Sequence, residues 1–197
     1  MYPSLYIVVL GGKIKSTNIE QHDVRWVVGT SIDHTYRQLE REWIGLKQGL
    51  HIDSYMKVSF VDGFQVTLKR DLSQGSKSSS NDRSDKTNQL WFVNLGAYDP
   101  FNLYEIHEFT LVVSTSAINA KKIALNRFLG NFKLKHKDNI RALPNYPLVD
   151  NCNSINNING WRILLEPDPL KRSQKITPDF YGYLPLSNSV QGDIPFE

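Results

Sequence analysis

The chain repeats itself, and this duplication limits the folds that its 197 residues can adopt. A shift of 85 positions places LYIVVLGG (5–12) over LWFVNLGA (90–97) without a gap. Thirteen of the 49 positions from Leu5 to Asp53 are then identical. A shift of 97 aligns VDGFQVTL (61–68) with INGWRILL (158–165), so the second copy carries an insertion of 12 residues. We therefore expect one small unit used twice.

Each copy predicts the same order of strands and helix. An apolar run that ends in glycine and a β-branched, aromatic run after it are typical of strands. Ser31 and Ser116 then lie at predicted helix starts, as N-caps. Two alternating strands around a turn such as Asp62-Gly63 complete the copy. We predict an α+β protein of two ββαββ units with pseudo-two-fold symmetry and mainly antiparallel sheet, which either share one sheet or pack as a pseudo-dimer.

The duplication also predicts the domain boundaries. The first repeat covers 1–71, and the second covers 90–166 with an inserted loop at 139–157. The polar, serine-rich segment 72–89 has little to bury and predicts a flexible linker. Residues 167–197 contain five prolines and form a predicted Pro-rich tail, which either wraps the domain or docks elsewhere.

Composition is that of an ordinary globular protein, with 40% hydrophobic residues and a formal net charge of +3. Cys152 is the only cysteine, so no intrachain disulfide can form and a reducing compartment is expected. Its neighbours in VDNCNSINNING include no histidine or basic residue, which disfavours a nucleophilic role. No apolar run is long enough to span a bilayer, and the N-terminus lacks signal-peptide features. We predict a cytoplasmic protein without membrane association.

Acidic residues and histidines recur at matched positions of the two copies. Four of the five histidines belong to a repeated Glu-x-His or His-x-Asp pattern. The eight candidate site residues are Glu20, His22, His51, Asp53, Glu105, His107, His136 and Asp138. Alternate residues of a strand share a face, so each Glu-x-His pair should lie at the end of the core-facing side of its strand. The residues expected on those two faces are Val24, Trp26, Val28, Phe109, Leu111 and Val113.

Two interpretations of these positions are open. Buried carboxylates need hydrogen-bond partners, so pairs such as Glu20 with His51 would form a structural clasp. Alternatively, Glu20, His22, His51 and Asp53 supply two imidazoles and two carboxylates, which suit a divalent transition metal such as zinc, manganese or non-haem iron. A site of this kind would support a metal-dependent, hydrolase-like enzyme. A histidine–carboxylate pair can also act as acid and base without a metal.

Glycines and basic residues give weaker signals. Gly11 and Gly12 end the first strand, but no phosphate-binding motif surrounds them, and a tight turn is the preferred interpretation. The modest basic clusters are Lys133, Lys135, Lys137 and Arg141, and then Lys171 and Arg172. Nucleic-acid binding normally needs a denser basic stripe with exposed aromatic residues, so weak nucleic-acid binding is the third hypothesis.

Several motifs together resemble a known bacterial family, the domain of unknown function 1543. They are LYIVVLGGK, IEQHDVRWVVG, LWFVNLGAYDPFNLYEIHEFTLVV, HIDSY and VDGF. The resemblance covers most of residues 5–165, and the serine-rich linker and the tail fall outside it. Ala97 departs from the pattern, which has a second glycine there. The resemblance implies a small bacterial cytoplasmic protein, and it carries no activity to this chain.

The leading hypothesis is a non-catalytic binding or interaction module with structural Glu/His/His/Asp clusters. The rival is a metal-dependent enzyme. Convergence of Glu20, His22, His51 and Asp53 in an open pocket would favour the enzyme, and closed carboxylate–histidine pairs would favour the module. The sequence leaves open whether the chain is an enzyme and identifies neither a substrate nor a partner. It allows a homodimer in which units are exchanged between chains.

Overall fold

The computed structural model describes residues 2–71, 87–97, 101, 103–131 and 149–186. Eleven strands and two α-helices lie in this part of the chain: β1 (Ser4–Gly12), β2 (Gln21–Gly29), α1 (Tyr36–Glu42), β3 (His51–Val58), β4 (Phe60–Val61), β5 (Phe64–Arg70), β6 (Gln89–Ala97), β7 (Ile106–Ser114), α2 (Ala117–Asn131), β8 (Val149–Ser154), β9 (Asn157–Ile158), β10 (Trp161–Pro167) and β11 (Phe180–Pro185).

The strands form three antiparallel sheets. The first has the order β11-β3-β1-β2, the second β7-β6-β8, and the third β4-β5-β10-β9. The third sheet joins the two halves of the chain, because β5 pairs with β10 over seven residues on each strand, from Phe64 to Arg70 and from Trp161 to Pro167. The predicted α+β class with mainly antiparallel sheet is confirmed. Of the two expected arrangements, a single shared sheet is not observed, because β1–β3 and β6–β8 lie in two separate sheets that pack face to face.

Alternation along the strands divides the core into three clusters. Leu5 and Ile7 of β1 face a central cluster to which all three sheets contribute. On the opposite face of β1, Val8 and Leu10 belong to a second cluster that contains Leu39 of α1. A third cluster lies between the second sheet and α2. The layers therefore run from α1 through two facing sheets to α2, with the third sheet beside them.

The predicted core-facing sides of β2 and β7 are confirmed. The apolar residues that follow the two Glu-x-His pairs all belong to the central cluster, namely Val24, Trp26, Val28, Phe109, Leu111 and Val113. Trp26 and Phe92 make a direct ring contact there, with centroids 5.1 Å apart. Each Glu-x-His pair therefore lies where a core-facing row of side chains reaches the edge of the fold.

The two predicted helix caps have different outcomes. Ser116 precedes α2, and its hydroxyl accepts a hydrogen bond from the Asn119 N–H at 3.3 Å, as an N-cap does. Ser31 does not cap α1, because a 3-10 turn over Asp33–Thr35 precedes that helix. The Asp62-Gly63 turn is confirmed, with φ of 51° and 80° as a tight hairpin turn requires.

Segments outside the matched strands also form regular structure. Strand β8 lies within the predicted inserted loop 139–157, where it pairs with β6 and satisfies backbone groups along one side of that strand. Strand β11 comes from the predicted tail and pairs with β3 of the first sheet. Most of the predicted linker 72–89 lies outside the described residues, and its flexibility stays a prediction.

Candidate metal centre

A glycine on a central strand creates the space for the candidate site. Gly11 of β1 is the register partner of His22 on β2 and of His51 on β3. Directly opposed residues of antiparallel strands project to the same face, so the two imidazoles flank the glycine. A Cβ atom on Gly11 would lie 2.6 Å from His51 Nε2, 2.7 Å from Glu20 Oε1 and 2.9 Å from Asp53 Oδ2. The absence of a side chain at Gly11 is therefore required for these atoms to converge.

The converging atoms have the spacing of ligands around one cation. His51 Nε2 lies 3.2 Å from Glu20 Oε1 and 3.1 Å from Asp53 Oδ1. His22 Nε2 lies 3.4 Å from Glu20 Oε1 and 3.3 Å from Asp53 Oδ2. Ligands about 2.1 Å from a common ion are separated by about 3.0 Å in octahedral and about 3.4 Å in tetrahedral geometry. Ligand atoms of Glu20, His51 and Asp53 also lie within 4.8 Å of one another.

The hydrogen bonding of His51 fixes which nitrogen is available. His51 Nδ1 lies 2.8 Å from the Gly49 carbonyl oxygen, which can only accept, so Nδ1 carries a proton and donates it. Nε2 then presents either a lone pair or a second proton to two carboxylate oxygens. A lone pair would be repelled by those oxygens unless a cation lay between them. A histidine oriented in this way by a backbone carbonyl is a common arrangement for metal ligands.

Backbone irregularity and exposure shape the rest of the site. Asp53 is the extra residue of a β-bulge, since Val9 pairs with Ser54 while Leu10 pairs with Ile52. Bulges redirect side chains and often lie next to functional sites. The His51 side chain is 4% exposed, against 32% for Asp53, 39% for Glu20 and 57% for His22. The site is therefore closed behind His51 and open to solvent beside His22.

A groove elsewhere on the protein is lined by none of the four candidate residues Glu20, His22, His51 and Asp53. The groove has a volume of about 740 Å³ and lies between the two halves of the chain, with Met56, Phe109 and Phe128 among its walls. The candidate site is a solvent-facing cluster at one end of the strands β1, β2 and β3. Three of the four candidate residues, Glu20, His51 and Asp53, have ligand atoms within 4.8 Å of one another, and His22 borders them through its contacts with Glu20 and Asp53.

The second Glu-x-His pair lies beside the corresponding glycine of β6. His107 is the register partner of Gly96, and its Nε2 lies 3.7 Å from Glu105 Oε2. In the neighbouring strand β8, Val149 pairs with Leu95 in the way that Ile52 pairs with Leu10. The residue before Ile52 is His51, whereas the residue before Val149 is a leucine. The strand pairing therefore matches Ile52 of β3 with Val149 of β8, which are 97 residues apart in the sequence.

The alignment of HID (51–53) with HKD (136–138) used a shift of 85. His136 and Asp138 lie outside the described residues, so their place in a second cluster stays a prediction. In the described part of β8, no histidine lies at the position that corresponds to His51 of β3.

Sequence reasoning missed three contributors to the site. The tight turn predicted at Gly11 is wrong, because Gly11 lies inside β1 and its contribution is the space beside it. The alignment of Gly11 with Gly96 in the two copies was the sequence feature that could have indicated the importance of this glycine. Gly49 supplies the carbonyl for His51 from a left-handed conformation with φ of 77°. Tyr183, from the tail, has no counterpart in the repeats and gave no signal.

Other candidate groups have structural explanations. Burial raises the pKa of the Cys152 thiol, which agrees with the expectation that it is not a nucleophile. The Arg172 guanidinium forms two hydrogen bonds of 2.9 Å with the Asp168 carboxylate, so its charge is already paired. The basic cluster formed by Lys133, Lys135, Lys137 and Arg141 lies outside the described residues, and nucleic-acid binding through it stays a prediction.

Comparisons with known proteins bear out the resemblance found in the sequence. The family model for Domain of Unknown Function (DUF1543) matches residues 17–68 and 102–165. The chain belongs to this family. The two matched segments each contain a Glu-x-His pair, consistent with two copies of the DUF1543 unit. A search of curated proteins found no match.

One solved structure is similar over nearly the whole chain. It is the crystal structure of a protein Il1583 from Idiomarina loihiensis, which is 30% identical and has a TM-score of 0.65. The likeness covers 93% of this chain and 97% of that protein. Among the described residues of the DUF1543 chain, no helix has the length and apolar character needed to cross a membrane.

Proposed function

We propose that this DUF1543 protein binds a divalent transition metal through Glu20, His22, His51 and Asp53. The observation that carries the proposal is the buried Nε2 of His51, which faces two carboxylate oxygens beside the space left by Gly11. Two imidazoles and two carboxylates suit zinc, manganese or iron(II) better than magnesium or calcium, which prefer oxygen alone.

The same geometry argues against a purely structural clasp, the hypothesis favoured from the sequence. A clasp needs discrete pairs, whereas each imidazole here approaches both carboxylates at 3.1–3.4 Å. Exposed ion pairs also contribute little to stability, and the side chains of Asp53, Glu20 and His22 are all about a third exposed or more. The arrangement is better suited to binding an ion than to holding strands together.

The solvent-facing side supports metal-dependent hydrolysis as a second candidate function. The His22 side chain is 57% exposed, so water or a substrate atom has access to the space between the ligands. A bound transition metal would supply an activated water or polarise a substrate oxygen. In that case Glu20, His22, His51 and Asp53 hold the ion, and the open side admits the substrate.

We infer that the chain is a duplicated ββαββ unit with pseudo-two-fold symmetry and that the metal belongs to the first copy, 1–71. Four features support this inference. Strand β1 lies between β2 and β3 as β6 lies between β7 and β8, and the register breaks of β3 and β8 fall at matched positions. The β5–β10 pairing runs across the proposed axis. In the first copy a histidine, His51, precedes Ile52 of β3. In the second copy a leucine precedes Val149, the matched residue of β8.

Metal analysis tests the proposal. The tag-free protein is purified without chelator, stripped, and titrated with Zn²⁺ and Mn²⁺ beside a His22→Ala/His51→Ala variant. We expect near-stoichiometric binding of at least one ion in the native protein, loss of that binding in the variant, and a higher melting temperature only for the metal-loaded native protein. Absence of metal binding by the native protein, together with marked destabilisation of the variant, would instead establish the clasp.

A further inference from the structure

Tyr183 reaches the metal centre from outside both repeats. Its ring lies against the His51 imidazole, with centroids 4.2 Å apart and planes inclined by 35°. The family match ends at residue 165, so this tyrosine belongs to a segment added after the second copy. Tyr183 is 65% exposed while His51 is 3% exposed. The tyrosine therefore shields the most deeply buried of the four proposed ligands.

The backbone of β11 is adapted to place this ring. Tyr181 pairs with Ser54 and Leu184 pairs with Ile52, so Gly182 and Tyr183 together oppose the single residue Asp53. Gly182 has φ of 139°, a conformation that L side chains rarely adopt. This register break directs Tyr183 toward His51 instead of along the regular pleat.

Apolar anchors on either side hold the strand at this point. Phe180 stacks on Tyr55 with ring centroids 5.6 Å apart, and Leu184 packs against the core cluster beneath α1. Leu186, which is fully buried, donates its N–H to the Leu50 carbonyl at 3.0 Å. The exposed tyrosine is therefore carried by a well-anchored segment.

We infer that Tyr183 is a positioning residue for the metal centre, an inference that rests on the proposed function. The Gly49 carbonyl holds Nδ1 of His51, and Tyr183 covers a face of the same ring. The edge that carries Nε2 is left facing Glu20 and Asp53. A ligand already held in its binding orientation loses less freedom when the ion arrives, which raises affinity and slows release.

The test compares Tyr183→Ala and Tyr183→Phe with the native protein. Zn²⁺ affinity is measured by competition with a chromophoric chelator, and the absorption spectrum of bound Co²⁺ reports ligand geometry. Tyr183→Ala should weaken Zn²⁺ binding about tenfold and alter the Co²⁺ spectrum. Tyr183→Phe keeps the ring and should match the native protein in both measurements. Tyr181→Ala is the control, since Tyr181 lies on the same strand and is 81% exposed.

Three results would overturn the inference while leaving the proposed function intact. These are native affinity in Tyr183→Ala, weakened affinity in Tyr183→Phe, or equal weakening in Tyr181→Ala. Failure of the native protein to bind either ion would overturn the proposed function and this inference together. The ring contact has its own readout in the metal-free protein, because loss of the Tyr183 ring current should shift the His51 imidazole proton resonances in Tyr183→Ala.

Discussion

The two Glu-x-His elements begin from the same sequence pattern and differ in what surrounds them. Both lie beside a glycine on the central strand of a sheet, His22 opposite Gly11 and His107 opposite Gly96. Around the first, His51 and Asp53 complete a four-group cluster with contacts of 3.1–3.4 Å. In the second pair, His107 Nε2 lies 3.7 Å from Glu105 Oε2.

The difference lies in the neighbouring strands. Strand β3 begins with a histidine, whereas β8 begins at Val149, which follows a leucine in the sequence. The first sheet also gains a fourth strand, β11, while the second sheet has three described strands. We therefore expect the duplicated motif to form one metal site and not two, because the proposed ligand His51 has no histidine counterpart at the matched position before β8.

The largest effect on Zn²⁺ affinity is expected from removing His51 of the first copy, with removal of His107 of the second copy as the comparison. His51→Ala removes a proposed ligand and should lower Zn²⁺ affinity by more than about 100-fold, since changing a group that only orients a ligand already costs about 10–100-fold. His107→Ala should leave the affinity of the first cluster unchanged. Isothermal titration of both variants measures this directly. Equal losses in the two would show that the copies share one site or bind metal equally.

The paired glycines give the next largest effect. Gly11→Ala would place a methyl group 2.6 Å from His51 Nε2 and should weaken metal binding by at least about tenfold. Gly96→Ala makes the same change on β6, in the other sheet, and should leave binding intact. Circular dichroism shows whether each variant is folded. Tight metal binding by folded Gly11→Ala would mean that the space at Gly11 is not required.

Truncating one valine in the core cluster beside each helix should lower the free energy of unfolding by similar amounts. Val27 and Val112 occupy matched positions, and both are fully buried, in the clusters beneath α1 and α2 respectively. Truncation of either to alanine should reduce the free energy of unfolding by about 2 kcal/mol, from lost apolar burial and the cavity left behind. Urea denaturation measures both. A much smaller loss for Val112→Ala would indicate looser packing of the second copy.

The smallest effect concerns Asp168, the aspartate that follows β10. Hydrogen bonds from Arg172 lower the pKa of Asp168 from 3.8 to about 2. A lowered pKa stabilises the fold above pH 3.8, and that contribution is lost as the pH falls toward 2. Asp168→Asn should therefore destabilise the protein at pH 7 and much less at pH 2. Urea denaturation at the two pH values measures both losses, and an equal loss at pH 7 and pH 2 would contradict this prediction.

Much of the fold follows from local pattern. Glycine-ended apolar runs and alternating β-branched residues correctly predicted β1, β2, β6 and β7, and alternation predicted which residues of β2 and β7 face the core. Sheet membership was not predictable, because it depends on pairing between segments distant in sequence. Strand β8 was missed because VDNCNS is rich in asparagine, and its pairing with β6 outweighs that weak local preference.

The candidate site was predictable in part. Retention of Glu20, His22, His51 and Asp53 in the alignment of the two copies drew attention to the residues that the structure brings together. Their common partner Gly11 was misinterpreted because the importance of a glycine inside a strand depends on what lies across from it. Tyr183 could not be predicted, since only the register of β11 brings it to His51.

Anomalous diffraction from crystals grown with Zn²⁺ tests the central claim most directly. We expect a strong peak at the zinc edge in front of Gly11, about 2.0–2.2 Å from His51 Nε2 and from at least one oxygen each of Glu20 and Asp53. A map without a peak at this position, in which the imidazoles hydrogen-bond directly to the carboxylates, would contradict the account and identify the cluster as a structural clasp.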